Sequence, residues 1–404
     1  MHNSDQVGLT VGQRIKLHRE RAGKTRAVLG GLVGRSAEWV KAVETGRLLP
    51  PRLTMLNQLA KALKVEVWTI IDTEQPTTQA LGPGHAYLPA VREALNRWPI
   101  ASAGQPEPLE HMRARLATAW RARHAAPDHR TVIGNLLPAL IRDAQTAIKA
   151  YAGREQREAH AILADVMGLS QMFVAHQPAG DLVWRVVDRA ILAAQESENP
   201  IALAGAIWFA GQAHRDAGDW DTATAITLDA LHILRPQVPD ASDELLAMWG
   251  ALHAEVGLTA ARAGEAGRAW HYLDIASGVA RKLPADFYQK WTSFSRVIMD
   301  PHAVTVEVEL RKGGHALRAA EKVNPDAIPS RPRRARHLIE VARSHHLRRD
   351  EQSVVGTLTQ AYETAPETIR YNVHARAIVS DMLDGTAAQR RRVSDLAARV
   401  GLLV

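Results

Sequence analysis

The side chains in this sequence that could do chemistry are mainly basic, and their excess lies at one end. Residues 8–72 contain twelve Lys and Arg against five Asp and Glu, whereas the rest of the chain has 38 of each sign. The net charge of +7 therefore belongs to about the first sixth of the chain. Because a small positive domain attracts polyanions, this distribution predicts a nucleic-acid partner. A solvated basic surface is the alternative explanation.

The motifs of common catalytic and cofactor sites are incomplete or missing. Residues 23–25 have the ending of a phosphate-binding loop, but His18 stands where its first glycine is required. Residues 82–84 lack the third glycine of a dinucleotide fingerprint. The chain has no cysteine, and the adjacent His345 and His346 face different sides of a predicted helix, which is poor metal geometry. The sequence thus predicts a protein that is not an enzyme and holds no cofactor or metal.

The basic segment has the pattern of five short helices. Gly34 lies in a three-residue turn, and Ser36 can cap the helix that follows it. Two helices joined by such a turn form a helix-turn-helix. Apolar spacing, caps and breakers predict the five helices at residues 11–21, 25–32, 37–44, 53–63 and 67–71.

This segment resembles the DNA-binding domain of the Cro/phage-repressor (XRE) family. The resemblance implies a five-helix, lambda-repressor-like domain whose third helix enters the major groove of double-stranded DNA. The matching residues are Thr25, Leu29, Gly34, Ser36, Val40, Val43, Glu44, Gly46 and Pro50.

The family pattern implies a role for each position. Ala37, Glu38 and Ala42 occupy positions that face base edges, where Glu38 can accept from a cytosine amino group. Arg26 takes the place of a glutamine at the start of the second helix, and Arg47 follows the third helix, where phosphate contacts are usual. The full predicted DNA-binding set is Arg26, Arg35, Ser36, Ala37, Glu38, Trp39, Lys41, Ala42, Arg47 and Arg52.

Four residues depart from the family pattern. Gly30 stands where the family has a small alanine, and Gly31 follows it. Two glycines inside a helix cost about 0.8–1 kcal/mol each relative to alanine, which predicts a marginally stable domain. Arg35 replaces a usually apolar turn residue, and Lys41 replaces a usual serine, so the base preference of relatives does not transfer to this chain.

A Pro-, Gly- and Thr-rich linker at residues 73–86 is predicted to separate the helix-turn-helix domain (residues 8–72) from a helical body (residues 87–404). Small residues in the body recur at spacings that resemble tetratricopeptide repeats, and such repeats stack helical hairpins into a solenoid. The sequence therefore predicts an all-α protein, with a tetratricopeptide-like α-solenoid as its body and an irregular α-bundle as the alternative. The three clearest repeat segments are residues 207–230, 253–276 and 338–366.

The concave face of a solenoid is the usual place for a ligand. The repeat register places aromatic and charged side chains on that face, which suits a peptide or an anionic small molecule. A solvated polar face is the alternative. The predicted groove set is Trp208, Gln212, Arg215, Glu255, Arg262, Arg336, Arg343 and His346.

A helix-turn-helix domain followed by such a body resembles the peptide-pheromone receptor regulators of Gram-positive bacteria and the Arg- and Ala-rich regulators of actinobacteria. The resemblance implies a homodimeric transcription regulator that binds double-stranded DNA and senses a peptide or small molecule. The alternative is a signalling adaptor that binds protein partners through its repeats and has lost base readout. The sequence has no run of about 18 apolar residues and no apolar N-terminal region, so we expect a cytoplasmic protein without a membrane partner.

Overall fold

The computed structural model of the chain describes residues 10–48, 51, 53–63, 65, 67, 70, 84–98 and 105–402. Helices and turns make up this part of the chain, and no strand occurs within it, so the predicted all-α class is confirmed. Backbone contacts divide the chain into two units. The helices of residues 11–63 belong to the first unit, and those from residue 88 onward belong to the second. Most of the predicted linker, up to residue 83, lies outside the described residues.

The first unit packs four helices around a small apolar core. Ile15, Leu29, Val40 and Leu59 are buried between them. The predicted bounds of these four helices agree with the structure to within one residue. Of the predicted fifth helix, Val67 and Ile70 are described and both are helical. The four helices are α1 (Val11–Arg21), α2 (Arg26–Leu32), α3 (Ala37–Glu44) and α4 (Leu53–Leu63).

The predicted caps form as local sequence chemistry requires. Thr25 Oγ1 accepts from the amide of Val28 at 3.2 Å, and Ser36 Oγ accepts from the amide of Trp39 at 3.1 Å. Each cap satisfies an amide at a helix start that has no partner within the helix. Gly34, between α2 and α3, has a φ of 65°, a left-handed conformation in which a side chain would be strained.

Gly30 has a packing role at this turn. A Cβ atom added to Gly30 would lie 2.5 Å from the carbonyl oxygen of Arg35, whose own amide donates to Gly30 O at 2.8 Å. The backbone of α2 can therefore approach the turn this closely only without a side chain. A Cβ atom on Gly31 would meet open space. The expectation that both glycines only weaken α2 is therefore wrong for Gly30.

The two glycines give opposite predictions when each is replaced by alanine. Gly31→Ala should stabilise the first unit by about 0.5–1 kcal/mol, because alanine is the better helix former. Gly30→Ala should destabilise it by about 1–3 kcal/mol, because the new Cβ overlaps a backbone oxygen. Hydrogen exchange of residues 26–48 in the full-length protein measures both changes. Shifts of the same sign in both variants would contradict this account of the turn.

The second unit is built from helical hairpins whose helices form two layers. Helices α6, α8, α10, α12, α14 and α16 contact one another in that order and form the inner layer, and α7, α9, α11, α13, α15 and α17 form the outer layer. The helices are α5 (Leu88–Asn96), α6 (Leu109–Ala125), α7 (His129–Ala150), α8 (Gly153–Val174), α9 (Gly180–Glu196), α10 (Pro200–Asp216), α11 (Trp220–Leu234), α12 (Asp243–Arg262), α13 (Ala266–Ala280), α14 (Met299–Glu309), α15 (Gly313–Ala320), α16 (Arg331–Leu347), α17 (Glu351–Thr364), α18 (Pro366–Arg370), α19 (Val373–Asp384) and α20 (Ala387–Arg399).

Small residues at the repeat spacings allow the hairpins to pack closely, as predicted. A Cβ atom on Gly257 of α12 would lie 3.0 Å from the carbonyl oxygen of Ala269 in α13. A Cβ atom on Gly211 of α10 would lie 2.8 Å from Thr227 Oγ1 in α11. The tetratricopeptide-like arrangement of the body is therefore confirmed. Among the described residues, every helix is too short or too polar to cross a bilayer.

The inner layer closes on itself. Its last helix, α16, contacts its first helix, α6, so the six inner helices form a ring. Glu367 of α18 strengthens the closure, because its carboxylate accepts from Thr131 Oγ1 at 2.6 Å and from the amide of Arg130 at 2.5 Å. His85 Nε2 also lies 3.3 Å from this carboxylate. The concave face predicted as an open groove is thus enclosed.

A non-helical segment, residues 281–295, connects α13 to α14 and packs against the inner helices. The carbonyl of Lys290 lies 2.7 Å from His124 Nε2 of α6, and the carbonyl of Thr292 accepts from Arg333 Nη2 of α16 at 2.5 Å. Phe294 is buried against Gly250 of α12, where a Cβ atom would lie 2.2 Å from its ring. We call residues 281–295 the inserted segment. It touches both ends of the ring and was not predicted.

Candidate functional site

Helix α3 presents one face to solvent and buries the other. Val40, Val43 and Glu44 are buried, whereas Glu38 and Lys41 are exposed. The rest of the predicted set is arranged around them: Arg35, Ser36 and Arg47 are exposed, and Ala37, Trp39 and Ala42 are half-buried. Arg52 lies outside the described residues. Of the residues that the family pattern assigns to DNA contact, Glu38, Lys41, Arg35, Ser36 and Arg47 are thus exposed, whereas Trp39 packs partly against the core.

Two contacts organise this exposed face. The guanidinium of Arg35 lies over the ring of Trp39, 5.5 Å from its centroid. Arg47 Nη2 lies 4.0 Å from Glu38 Oε2, and both side chains are largely exposed. An exposed ion pair of this length is worth less than about 1 kcal/mol, so both groups remain available to another partner.

Arg26 has a structural partner that the sequence analysis did not predict. Its Nε donates to Glu44 Oε2 at 2.7 Å, and Arg19 Nε of α1 donates to Glu44 Oε1 at 2.5 Å. Burial alone would raise the pKa of Glu44, but the hydrogen bonds from Arg19 and Arg26 hold it below its ordinary value. Glu44 thus fastens α1 and α2 to the buried side of α3. Arg26 therefore has a structural role in positioning α3, in addition to the DNA contact that was predicted for it.

The groove residues predicted in the body come together, but they neutralise one another. Arg215 Nη1 donates to Glu255 Oε1 at 2.5 Å, and Arg262 Nη1 donates to Asp216 Oδ1 at 2.8 Å. Gln212 lies on the same helix as Arg215 and is half-buried. These pairs join α10 to α12 across the inner layer.

The series of ion pairs continues to the end of the ring. Glu309 of α14 pairs with Arg262 at 3.6 Å and with Arg343 at 2.9 Å. Glu340 of α16 pairs with Arg343 at 2.7 Å and with Arg336 at 3.2 Å. Burial alone would raise the pKa of Glu309, but Arg343 and Arg262 hold it well below its ordinary value. The arginines predicted to bind an anion therefore already have carboxylate partners.

Two members of the predicted groove set do not belong to this network. Trp208 is only 4% exposed and packs edge-on against Phe209, with ring centroids 5.1 Å apart. Its predicted position in an open groove is wrong, because α10 is covered by helices on several sides and has no continuous solvent face. His346 is half-buried and lies 3.8 Å from Asp381. In the described part of the chain, no group of three or more His, Asp or Glu side chains is arranged to hold a metal ion.

Comparison with known proteins identifies the first unit. Residues 10–67 match a family model described as a helix-turn-helix domain. This match confirms the predicted helix-turn-helix domain for that part of the chain. A search of curated proteins finds no match.

Three solved structures show low similarity over much of the chain. A Rap protein complexed with competence and sporulation factor is 11% identical, with a TM-score of 0.39 over 90% of this chain and 99% of that one. PlcR of Bacillus thuringiensis, in complex with the peptide PapR7 and DNA, is 10% identical, with a TM-score of 0.27 over 86% and 99%. BtubC from P. vanneervenii is 15% identical, with a TM-score of 0.32 over 63% and 90%. Because all three TM-scores are below 0.5, these similarities do not define the fold of this chain. Its repeat architecture is established by the contacts between its own helices.

The carboxylate of Glu44 gives a prediction about the first unit. Glu44→Gln should lower the free energy of opening of α1–α3 by about 3 kcal/mol, because it removes the buried carboxylate that Arg19 and Arg26 share and leaves Arg19 only the exposed Glu20. Since the fold lowers the pKa of Glu44, this stabilisation is present above the ordinary carboxyl pKa and is lost on acidification. Hydrogen exchange of the full-length protein measures the change. Glu38→Gln, in the same helix but exposed, is the control and should change it by less than about 0.5 kcal/mol.

Proposed function

We propose that this protein is a cytoplasmic transcription regulator that binds specific double-stranded DNA through residues 8–72 and dimerises through residues 87–404. The observation that carries the proposal is the exposed face of α3, which follows a capped turn in a helix-turn-helix domain. This domain also holds the whole positive excess of the chain. Positive charge supplies non-specific attraction to phosphates, and a protruding helix face supplies base readout.

The side chains of α3 are suited to close approach to base edges. Ala37 and Ala42 are small, and an alanine methyl can contact the methyl group of thymine. Glu38 can accept a hydrogen bond from the amino group of cytosine, with Arg47 beside it to limit its motion. Lys41 and Arg47 are exposed on the flank of the helix, where phosphates of either strand would lie. We therefore propose that Glu38 contacts a base and that Lys41 and Arg47 bind phosphates.

One observation favours the adaptor alternative. Val28 and Leu32, one helical turn apart on α2, are 51% and 60% exposed. Apolar side chains grouped on a surface suit a protein partner rather than DNA. An adaptor would still fold as a helix-turn-helix domain, but it would select no DNA sequence. Selection from a random duplex library separates the two functions, because a regulator enriches a common motif.

Anchoring by Lys41 and Arg47 can be tested by removing both charges. The Lys41→Ala/Arg47→Ala variant should bind the selected DNA more weakly, and the slope of log affinity against log salt should flatten by about one unit per lost phosphate contact. Lys16→Ala/Lys61→Ala removes the same charge from exposed positions on α1 and α4. Fluorescence anisotropy over a salt series gives both quantities. Equal losses in the two double variants would contradict docking through α3.

Readout by Glu38 gives a separate prediction. Glu38→Ala should reduce discrimination at one base pair of the selected motif by about 1–3 kcal/mol and leave the other positions unchanged. Library selection repeated with the variant measures this change. An unchanged motif would place Glu38 outside the readout.

The proposed dimer follows from the size of the DNA-binding surface. One small helix-turn-helix domain buries too little DNA surface for tight specific binding, so two half-sites about one helical turn apart are expected. Light scattering at micromolar concentration should give about twice the chain mass of 44.3 kDa. A mass of one chain, with and without the selected DNA, would defeat the dimer.

The body is also proposed to transmit a ligand or partner signal to DNA binding. Its support is the ring closure, because α16 contacts α6 and Glu367 of α18 bonds to Thr131 of α7, although these elements are distant in sequence. A ligand could change DNA affinity by binding the closed ring and an opened ring with different affinities. The change in DNA affinity cannot exceed that difference in ligand affinity, which is typically about 1–3 kcal/mol.

A further inference from the structure

A second concave site in the body contains none of the predicted groove residues. It is a pocket of about 660 Å³ between α6, α8, the start of α10 and the inserted segment. Small-molecule sites in proteins are usually clefts of about 300–1,000 Å³. The pocket thus has the size of a small-molecule site.

One wall of the pocket is apolar and held in place. Leu116, Ile162 and Trp291 line it. The indole N–H of Trp291 donates to Asp165 Oδ1 at 2.7 Å, and the same oxygen accepts from the indole of Trp120 at 2.6 Å. Because these side chains are already held in place, little of their conformational entropy is lost when a ligand binds.

Gly205 of α10 packs closely against the Trp291 ring, since a Cβ atom there would lie 2.8 Å from it, and Lys290 Nζ lies over the same ring, 5.1 Å from its centroid. The pocket therefore offers a preformed aromatic surface. A flat apolar group of a ligand can pack against the part of the half-buried ring that these contacts leave exposed.

The rim of the pocket carries more positive than negative charge. Four basic side chains line it, and two of them have close partners: Arg113 pairs with Glu158, and Lys290 Nζ lies 2.9 Å from Asp165 Oδ2.

The other two basic side chains of the rim are available. Arg157 reaches only Glu198, at 3.8 Å and with both side chains largely exposed. Arg154 is exposed, and no described residue forms an ion pair or side-chain hydrogen bond with its guanidinium. Both belong to the first turns of α8, three residues apart and therefore on one face of the helix, and both line the pocket. They can bind one anionic group between them.

We propose that this pocket binds a small aromatic anion, whose flat body lies against Trp291 and whose carboxylate, sulfonate or phosphate group is held by Arg154 and Arg157. A neutral ligand would gain nothing from the two guanidiniums, and a cationic ligand would be repelled by them. The proposal goes beyond the proposed function and does not depend on DNA binding. It assigns a ligand class to a surface that the repeat register did not indicate.

Two probes with the same ring system test the proposal on the full-length protein. 8-Anilinonaphthalene-1-sulfonate carries a sulfonate, and N-phenyl-1-naphthylamine is its neutral counterpart. Fluorescence titration should show that Arg154→Gln/Arg157→Gln weakens binding of the sulfonate probe by about tenfold, which is about 1.4 kcal/mol. The same variant should change binding of the neutral probe by less than about twofold, within the smallest effect expected of a lost polar contact.

Two further variants make the result decisive. Arg142→Gln/Arg391→Gln removes the same charge from exposed positions on α7 and α20 and should leave both affinities unchanged. Ala117→Trp, at an exposed position of α6 that lines the pocket, should fill it and abolish binding of both probes. Sulfonate affinity that is unchanged by the Arg154/Arg157 variant, equally weakened by the Arg142/Arg391 control, or insensitive to Ala117→Trp would each overturn the proposal.

Discussion

The structure of the body depends on closure of the inner ring, and the carboxylate of Glu367 reinforces that closure from outside the inner layer. It joins α18 to the start of α7, although Glu367 and Thr131 are 236 residues apart in sequence. Burial alone would raise the pKa of Glu367, but hydrogen bonds from His85, Thr131 and the amide of Arg130 lower it, so the group stays ionised. An open solenoid has no equivalent constraint, because each of its hairpins contacts only its neighbours. Closure makes the first and last hairpins dependent on each other.

Closure also explains the charges that line the ring. Arginines on an open concave face could be solvated, but inside a closed ring each one needs a partner. Glu309 and Glu340 each serve two arginines, and the resulting series links α10, α12, α14 and α16. The buried polar groups of the inserted segment also have partners. Gln289 Oε1 accepts from the amides of Trp291 and Thr292, and the carbonyl of Thr292 accepts from Arg333. Buried irregular backbone is tolerated here because its polar groups have partners.

The parts of the fold that local chemistry determines could be predicted from the sequence. Caps at Thr25 and Ser36, the left-handed turn at Gly34 and the small residues of the repeats depend on neighbours within one hairpin. Three features could not be predicted, because they depend on contacts distant in sequence: the pairing of Arg26 with Glu44, the ring closure and the inserted segment. The repeat register also gave a wrong position for Trp208. The register assumes that each helix has one face in solvent, but α10 is covered on several sides. The one available signal was Glu44 itself, because a carboxylate on the buried side of a helix requires a cationic partner.

These constraints separate two roles that charge plays in one chain. In the first unit, Arg19 and Arg26 are engaged by Glu44, yet Lys41 and Arg47 remain exposed, so the domain keeps both a fixed helix orientation and a positive surface. In the body, Arg215, Arg262, Arg336 and Arg343 are paired with carboxylates, so they contribute rigidity rather than attraction for an anion. Two further arginines, Arg154 and Arg157, lie exposed at the rim beside Trp291. Lys290 and Trp291 of that pocket belong to the segment whose carbonyls bond to His124 and Arg333, at the two ends of the ring. A ligand bound against Trp291 would therefore act on the segment that spans the point of closure.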